Sequence, residues 1–388
     1  MNKKFYCIVL PFFLLSCTHV KEIKNRNKGK LTATHQLVIN GEKKFLLDDN
    51  TATRPPYIQM FKDSSGVRML TLLNPYNHSI YFYNYTETQF TESIRYEREG
   101  PNGILGVSGY YIRNIDSIYV YNRPLIEMVL TNRLGLVKKR IPLWNSDFNW
   151  QITHPQYDFS TVNAMFCFRE KLFLTGMSPF SISDSLINKF HFTACIDIKT
   201  NETEFMHTYP GELFGSGACW DDPVFMNAYP VLSPSGEIIH SFAMSHFLYL
   251  TNCNTGICKT VYGGSNVAGT IYSIDSEQKK ASGEVIGTYY LQQDLYAAIL
   301  HDPWRKVYYR YLLRGIPETN VSPGKKPIVV ILMDEQFNYL GETPIGTGEK
   351  WNWKNSFVTE EGLNIEYIDE TDLEEVYLNF KIFKMEEL

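Results

Sequence analysis

The residues best equipped for chemistry sit in one loop, Gly215-Ser216-Gly217-Ala218-Cys219-Trp220-Asp221-Asp222-Pro223. Trp220 beside Asp221 and Asp222 joins an aromatic face to two carboxylate acceptors, a platform for a sugar, an apolar group or a cation. The same run is also turn chemistry, since Asp before Pro caps strands and closes turns. Two adjacent carboxylates cannot flank a scissile glycosidic bond from both sides, so no glycosidase geometry follows. Arg98-Glu99 is a second candidate, able to meet a ligand or to pair with neighbouring charges. His154, His240, His246 and His301 are scattered without metal-ligand spacing, and each reads better as a satisfied core or surface histidine. Trp351-Asn352-Trp353 places two rings on one face of an extended chain, as a stacking shelf or, preferably, a packing seam. HExxH, GxSxG, Walker, GxGxxG and EF-hand patterns are all absent. The sequence therefore assigns no catalytic residue, metal or cofactor. A hydrolase or lyase assembled from several distant strands leaves no linear motif and stands as the alternative.

Whatever these residues do, strands must position them. The 388 residues include 26 Tyr and 24 Phe but only 11 Ala, a balance that favours pleated sheet over helix. Short runs such as Ser79-Ile80-Tyr81-Phe82-Tyr83-Asn84, Ser117-Ile118-Tyr119-Val120-Tyr121-Asn122 and Lys306-Val307-Tyr308-Tyr309-Arg310-Tyr311 alternate with turn signals. No helical stripe persists beyond about two turns. The chain is all-β. Its formal charge of −5 supplies no electrostatic basis for binding nucleic acid.

The N-terminus reads as an address. Lys3 and Lys4 precede an apolar run from Phe5 to Leu15, too short to span a bilayer but right for a signal-peptide core. Leu14-Leu15-Ser16-Cys17 resembles a bacterial lipobox, which implies lipidation of Cys17 and loss of residues 1–16. The mature chain then carries 35 basic and 42 acidic residues, a formal −7. Residues 17–35, basic and polar, are expected to be a flexible tether whose cations are solvated or touch anionic headgroups. Residues 36–388 form the folded domain. Among its five cysteines only Cys253 and Cys258, flanking Asn-Thr-Gly turn chemistry, suggest a disulfide, the alternative being two small buried hydrophobes.

The strands recur in units. After Tyr119 and again after Tyr309 an apolar run, a polar turn and an alternating strand follow. Gly-rich segments separate the units: Glu99-Gly100-Pro101-Asn102-Gly103, Pro210-Gly211-Glu212, Gly263-Gly264-Ser265 and Gly346-Thr347-Gly348-Glu349. Four-stranded units joined by such hops read as β-propeller blades. Six are expected, near 57–95, 104–142, 160–210, 228–262, 285–345 and 353–388. Seven is the alternative, with one concealed in 143–227, and stacked β-sandwiches come third. The last unit lacks a strand and residues 36–47 supply a spare one, so the N-terminal strand is expected to close the ring.

The lipobox, the segment Arg98-Glu99-Gly100-Pro101-Asn102-Gly103 and the run from Asp116 to Tyr121 resemble uncharacterised Bacteroidetes lipoproteins, the DUF4221 family, akin to six-bladed propeller lipoproteins. The resemblance implies a compartment and a fold and supplies no catalytic residue. The expected protein is an outer-membrane lipoprotein whose propeller binds a protein or glycan partner at one end of its ring. Thr18-His19-Val20-Lys21-Glu22 carries no acidic run, which points to the periplasmic side.

Overall fold

The computed structural model describes residues 20–144, 153–180, 182–220, 223–253, 256, 258–274, 283–318 and 321–388. Six antiparallel four-stranded sheets follow one another along the chain. The first blade holds β3 (Ile58–Lys62), β4 (Arg68–Asn74), β5 (Ser79–Asn84) and β6 (Gln89–Arg95). The second holds β7 (Val107–Asn114), β8 (Ser117–Asn122), β9 (Glu127–Thr131) and β10 (Val137–Pro142). The third comprises β11 (Phe166–Phe168), β12 (Lys171–Thr175), β13 (His191–Asp197) and β14 (Thr203–Thr208), and the fourth β15 (Ala228–Leu232), β16 (Glu237–Phe242), β17 (Phe247–Asn252) and β18 (Cys258–Tyr262). The fifth is built from β20 (Leu295–Asp302), β21 (Val307–Leu313), β22 (Pro327–Asp334) and β23 (Tyr339–Thr347). In the sixth, β24 (Trp351–Thr359), β25 (Gly362–Tyr367) and β26 (Tyr377–Glu387) are completed by β2 (His35–Leu46).

Burial explains which strand goes where. The middle strands are sealed on both faces: β21 is buried at every residue and β22 at all but its ends. Outer strands β6, β10 and β18 are mostly exposed or half-exposed. All four Gly-rich hops fall between blades, so every outer strand passes to the next inner strand along one rim, here the loop rim. At Gly103 a Cβ would lie 2.7 Å from the Glu99 backbone, which is why that hop requires glycine. Between residues 143 and 227 the described residues hold one blade. The shared S-I-Y pattern is not a repeat in register: it forms the third strand of the first blade and the second strand of the next.

The ring closes as expected. Strand β2 pairs with β26 from His35↔Glu387 to Leu46↔Tyr377. Phe45 is fully buried there, edge-on to Tyr83 of the first blade and to Phe380 of the last. Between the fourth and fifth blades, the buried Arg310 guanidinium donates to Ser241 Oγ (2.9 Å), Gly263 O (2.9 Å) and Ser245 O (2.8 Å) and lies 4.0 Å over the Tyr296 ring. Burial lowers its pKa to about 10, so it stays charged at neutral pH, held by carbonyl dipoles and an aromatic face.

The segment before β11 crosses the centre of the ring from the third blade to the sixth. Thr161 Oγ1 donates to Asn355 Oδ1 (2.6 Å) and accepts from Ile58 N (2.9 Å), while Val162 N reaches Lys354 O (3.2 Å). Phe159 packs edge-on against Tyr57 and Tyr121, and Gly109 gives it room, since a Cβ there would sit 2.6 Å from its ring. Glu366 is buried beside this crossing and accepts from Asn355 Nδ2 and Asn352 Nδ2 (3.0 Å). Burial pushes its carboxyl up to about 7.

Residues 20–31 do not form the free tether that the sequence suggested. Strand β1 (Glu22–Ile23) pairs with β19 (Ile271–Tyr272), and Lys21 N donates to Ser273 Oγ (2.8 Å). Asn25 Nδ2 donates to Ser265 O (2.7 Å) and Ala268 O (3.0 Å), and Tyr262 OH donates to Asn25 Oδ1 (2.9 Å). Leu31 N donates to Asn266 Oδ1 (2.9 Å). Strand pairing, amide side chains and the single apolar contact of Ile23 hold the segment down, which is why composition alone read it as solvated.

Two outcomes are expected. Phe45→Ala removes the ring that joins first and last blades and costs about 3–5 kcal/mol by urea denaturation. Glu366 binds a proton in the folded state that the unfolded chain has released between its ordinary 4.5 and about 7, so stability falls as pH rises through that window. Glu366→Gln keeps an acceptor for both asparagines and removes this loss. Its advantage over the native chain is nil near pH 4 and reaches about 3 kcal/mol above pH 7, read from melts at a series of pH values.

Candidate functional site

Among the described residues, Arg98, Glu99 and Trp220 do not converge on one site. Arg98 and Glu99 stand exposed on the first hop. Trp220 is buried, donates its indole N–H to Leu213 O (3.0 Å) and packs on Phe225 at 5.8 Å. It belongs to the core and offers no ring to a ligand. Asp221, Asp222 and Cys17 lie outside the described residues. Cys253 and Cys258 are free thiols: the β17–β18 register sets Cys258 opposite Thr251, which leaves Cys253 beyond the last pair. Trp351 packs on Tyr367 and Phe383 within its own blade, whereas Trp353 packs on Tyr229 and Tyr311 of the fourth and fifth, a seam as preferred.

The largest recess among those described opens at the seam between the third and fourth blades, about 930 Å³, within the range of small-molecule sites. Phe192, Tyr209, Phe242 and Tyr249 form an aromatic wall, with Thr208, Asn188, Thr251 and Thr260 among the polar lining. Glu212, Lys171 and Lys259 also line it, as do Cys253 and Cys258. The two thiols thus matter as cleft residues rather than as a crosslink.

Its chemistry centres on two imidazoles. His207 and His240 lie with ring centroids 4.9 Å apart at 66°. His207 faces Thr193 Oγ1 through Nδ1 at 3.0 Å, and His240 stands edge-on to Phe192 at 5.1 Å. Desolvation lowers the pKa of His207 to about 4 and holds His240 well below the ordinary histidine range, so both rings are neutral at physiological pH. Neutral rings bind by hydrogen bonding without a charge. His240 is only 2% exposed, and its Nε2 has no hydrogen-bond partner. Such an orphan costs about 1–3 kcal/mol. His207 also carries a φ of 60°, a left-handed backbone conformation rarely adopted by a side-chain-bearing residue within a strand.

Of the four histidines that the sequence singled out, His154, His246 and His301 are satisfied as suggested and His240 is not. His246 Nδ1 meets Tyr296 OH at 2.8 Å, His301 Nε2 meets Glu335 at 3.0 Å, and His154 stands edge-on to Phe205. Among the described residues no group of three or more His, Cys, Asp or Glu side chains is placed to hold a metal ion. No described helix is long and apolar enough to cross a membrane. Sequence reasoning met His240 and passed over His207; nothing in their spacing, across two blades, signals that the rings meet.

Solved structures share this architecture. A DUF4221 member from Bacteroides vulgatus ATCC 8482 matches with a TM-score of 0.78 at 19% identity, over 92% of this chain and 99% of that one. A protein from Bacteroides fragilis NCTC 9343 described as exported matches with a TM-score of 0.56 at 11% identity, over 90% and 95%. At such identities these likenesses show the fold alone. No curated protein matches. The model of the domain of unknown function DUF4221 matches residues 34–344, most of the six-bladed ring, and the chain belongs to that family.

Proposed function

We propose that this protein is an envelope lipoprotein, anchored through Cys17, whose cleft between the third and fourth blades binds a neutral glycan. The observation that carries the reading is the orphan Nε2 of His240, buried in a cleft walled by aromatic rings. A sugar hydroxyl satisfies that atom once the neighbouring rings shift to uncover it, and its C–H faces lie against Phe192, Phe242 and Tyr249. The neutral imidazoles, which carry no charge to match an anionic ligand, favour uncharged hydroxyls. The volume suits two or three sugar rings rather than a protein surface. The lipobox supports the anchor, and the likeness to a protein described as exported agrees with a location outside the cytoplasm.

Calorimetric titration with a panel of neutral oligosaccharides tests the reading. His240→Phe is the informative variant, because it removes the orphan atom and keeps a ring of similar shape. It should melt higher than the native chain by the equivalent of about 1 kcal/mol and bind about tenfold more weakly. A variant that binds as tightly as the native chain removes His240 from the site, and a panel with no binder removes the glycan. Bound ligand should also slow maleimide labelling of Cys258, the exposed thiol on the cleft lining.

A further inference from the structure

We propose that the strap of residues 20–31 and the loop rim beneath it form the face that this protein presents to an anionic bilayer. The inference rests on the acylation of Cys17 in the reading above and adds an orientation to it. An anchor on a free tether leaves a domain tumbling. Here the chain is fixed to the propeller from Lys21 onward, by β1, by Asn25 and by the 3.4 Å bond from Lys21 Nζ to Gly215 O. Only three peptide steps separate Val20 from Cys17, at most about 10 Å. Acyl chains at that distance hold the neighbouring rim at the headgroups.

The strap's own pattern fits such a surface. Residues 21, 23, 25 and 27 turn toward the propeller, and residues 22, 24, 26 and 28 are exposed. Glu22 pairs with Lys24 at 2.9 Å, so Arg26, Lys28 and Lys30 give the outward face its net positive charge in a chain that is acidic overall. Each cation near an anionic leaflet contributes about 1 kcal/mol. Tyr272, opposite Glu22 in the β1–β19 pair and 42% exposed, adds an amphipathic ring of the kind that settles at headgroup level. The orientation also places the cleft. Its Gly211–Glu212 end lies on the loop rim beside Gly215, toward the lipid, and its Cys258 end lies on the opposite rim.

Photocrosslinking of the acylated full chain tests this in vesicles of phosphatidylethanolamine and phosphatidylglycerol, with mass spectrometry reporting the state of Cys17 in each sample. A benzophenone amino acid at Tyr272 should yield lipid adducts several-fold above the same probe at Asp116 or Gln336, which lie in turns on the opposite rim. Arg26→Glu with Lys28→Glu should narrow that contrast. Equal yields from both rims on an acylated sample overturn the orientation and leave the anchor standing. A contrast unmoved by charge reversal overturns the role of the strap's cations, and an unacylated Cys17 removes the anchor and the orientation together.

Discussion

A ring of sheets has no free end to sacrifice, and the pairing of β2 with β26 is the constraint on which this one depends. Each blade buries one face against the blade before it and the other against the blade after. If the last blade lacked its outer strand, β26 would present an open edge, and the seam with the first blade would lose Phe45. That residue belongs to a buried cluster with Leu70, Leu72, Tyr83, Phe357 and Phe380, drawn from both ends of the chain. Closure is therefore hydrogen-bonded along the strand and apolar across the seam, and neither half suffices alone.

The six seams are not equivalent. Where the fourth blade meets the fifth, a buried guanidinium without a carboxylate partner is satisfied by the carbonyls of the neighbouring blade, which ties the two sheets at a fixed angle. At the centre, Thr161 and Asn355 bind opposite sides of the ring together. Against these closed contacts the gap between the third and fourth blades stands out. Its walls carry two desolvated imidazoles, a left-handed residue and an orphan nitrogen.

Much of the fold was legible because blades punctuate themselves. The Gly-rich hops marked the seams, and the spare N-terminal strand against a three-stranded last unit predicted the closure. The S-I-Y runs were read correctly as strands, and they look alike in different blade positions because any middle strand buried on both faces selects the same aromatic and β-branched residues. The site was far less legible. Trp220 drew attention by standing in a Gly-rich loop, yet Phe225 and the Leu213 carbonyl fold it inward, and local composition does not reveal that. His207 and His240 are 33 positions apart and meet only because two blades pack side by side. The strap escaped notice for a related reason: asparagine amides bonded to backbone carbonyls leave no trace in hydropathy.

The closure has a bearing on biogenesis. A chain made N-terminus first delivers β2 early and β26 almost last, so the strand that finishes the sixth blade waits for nearly the whole polypeptide to emerge. Until then its edge is unpaired and open to any passing strand. Charged residues along β2, Glu42, Lys43 and Lys44 among them, keep that waiting edge soluble. The same order means that the ring cannot lock into its final shape before the C-terminal strand has been made.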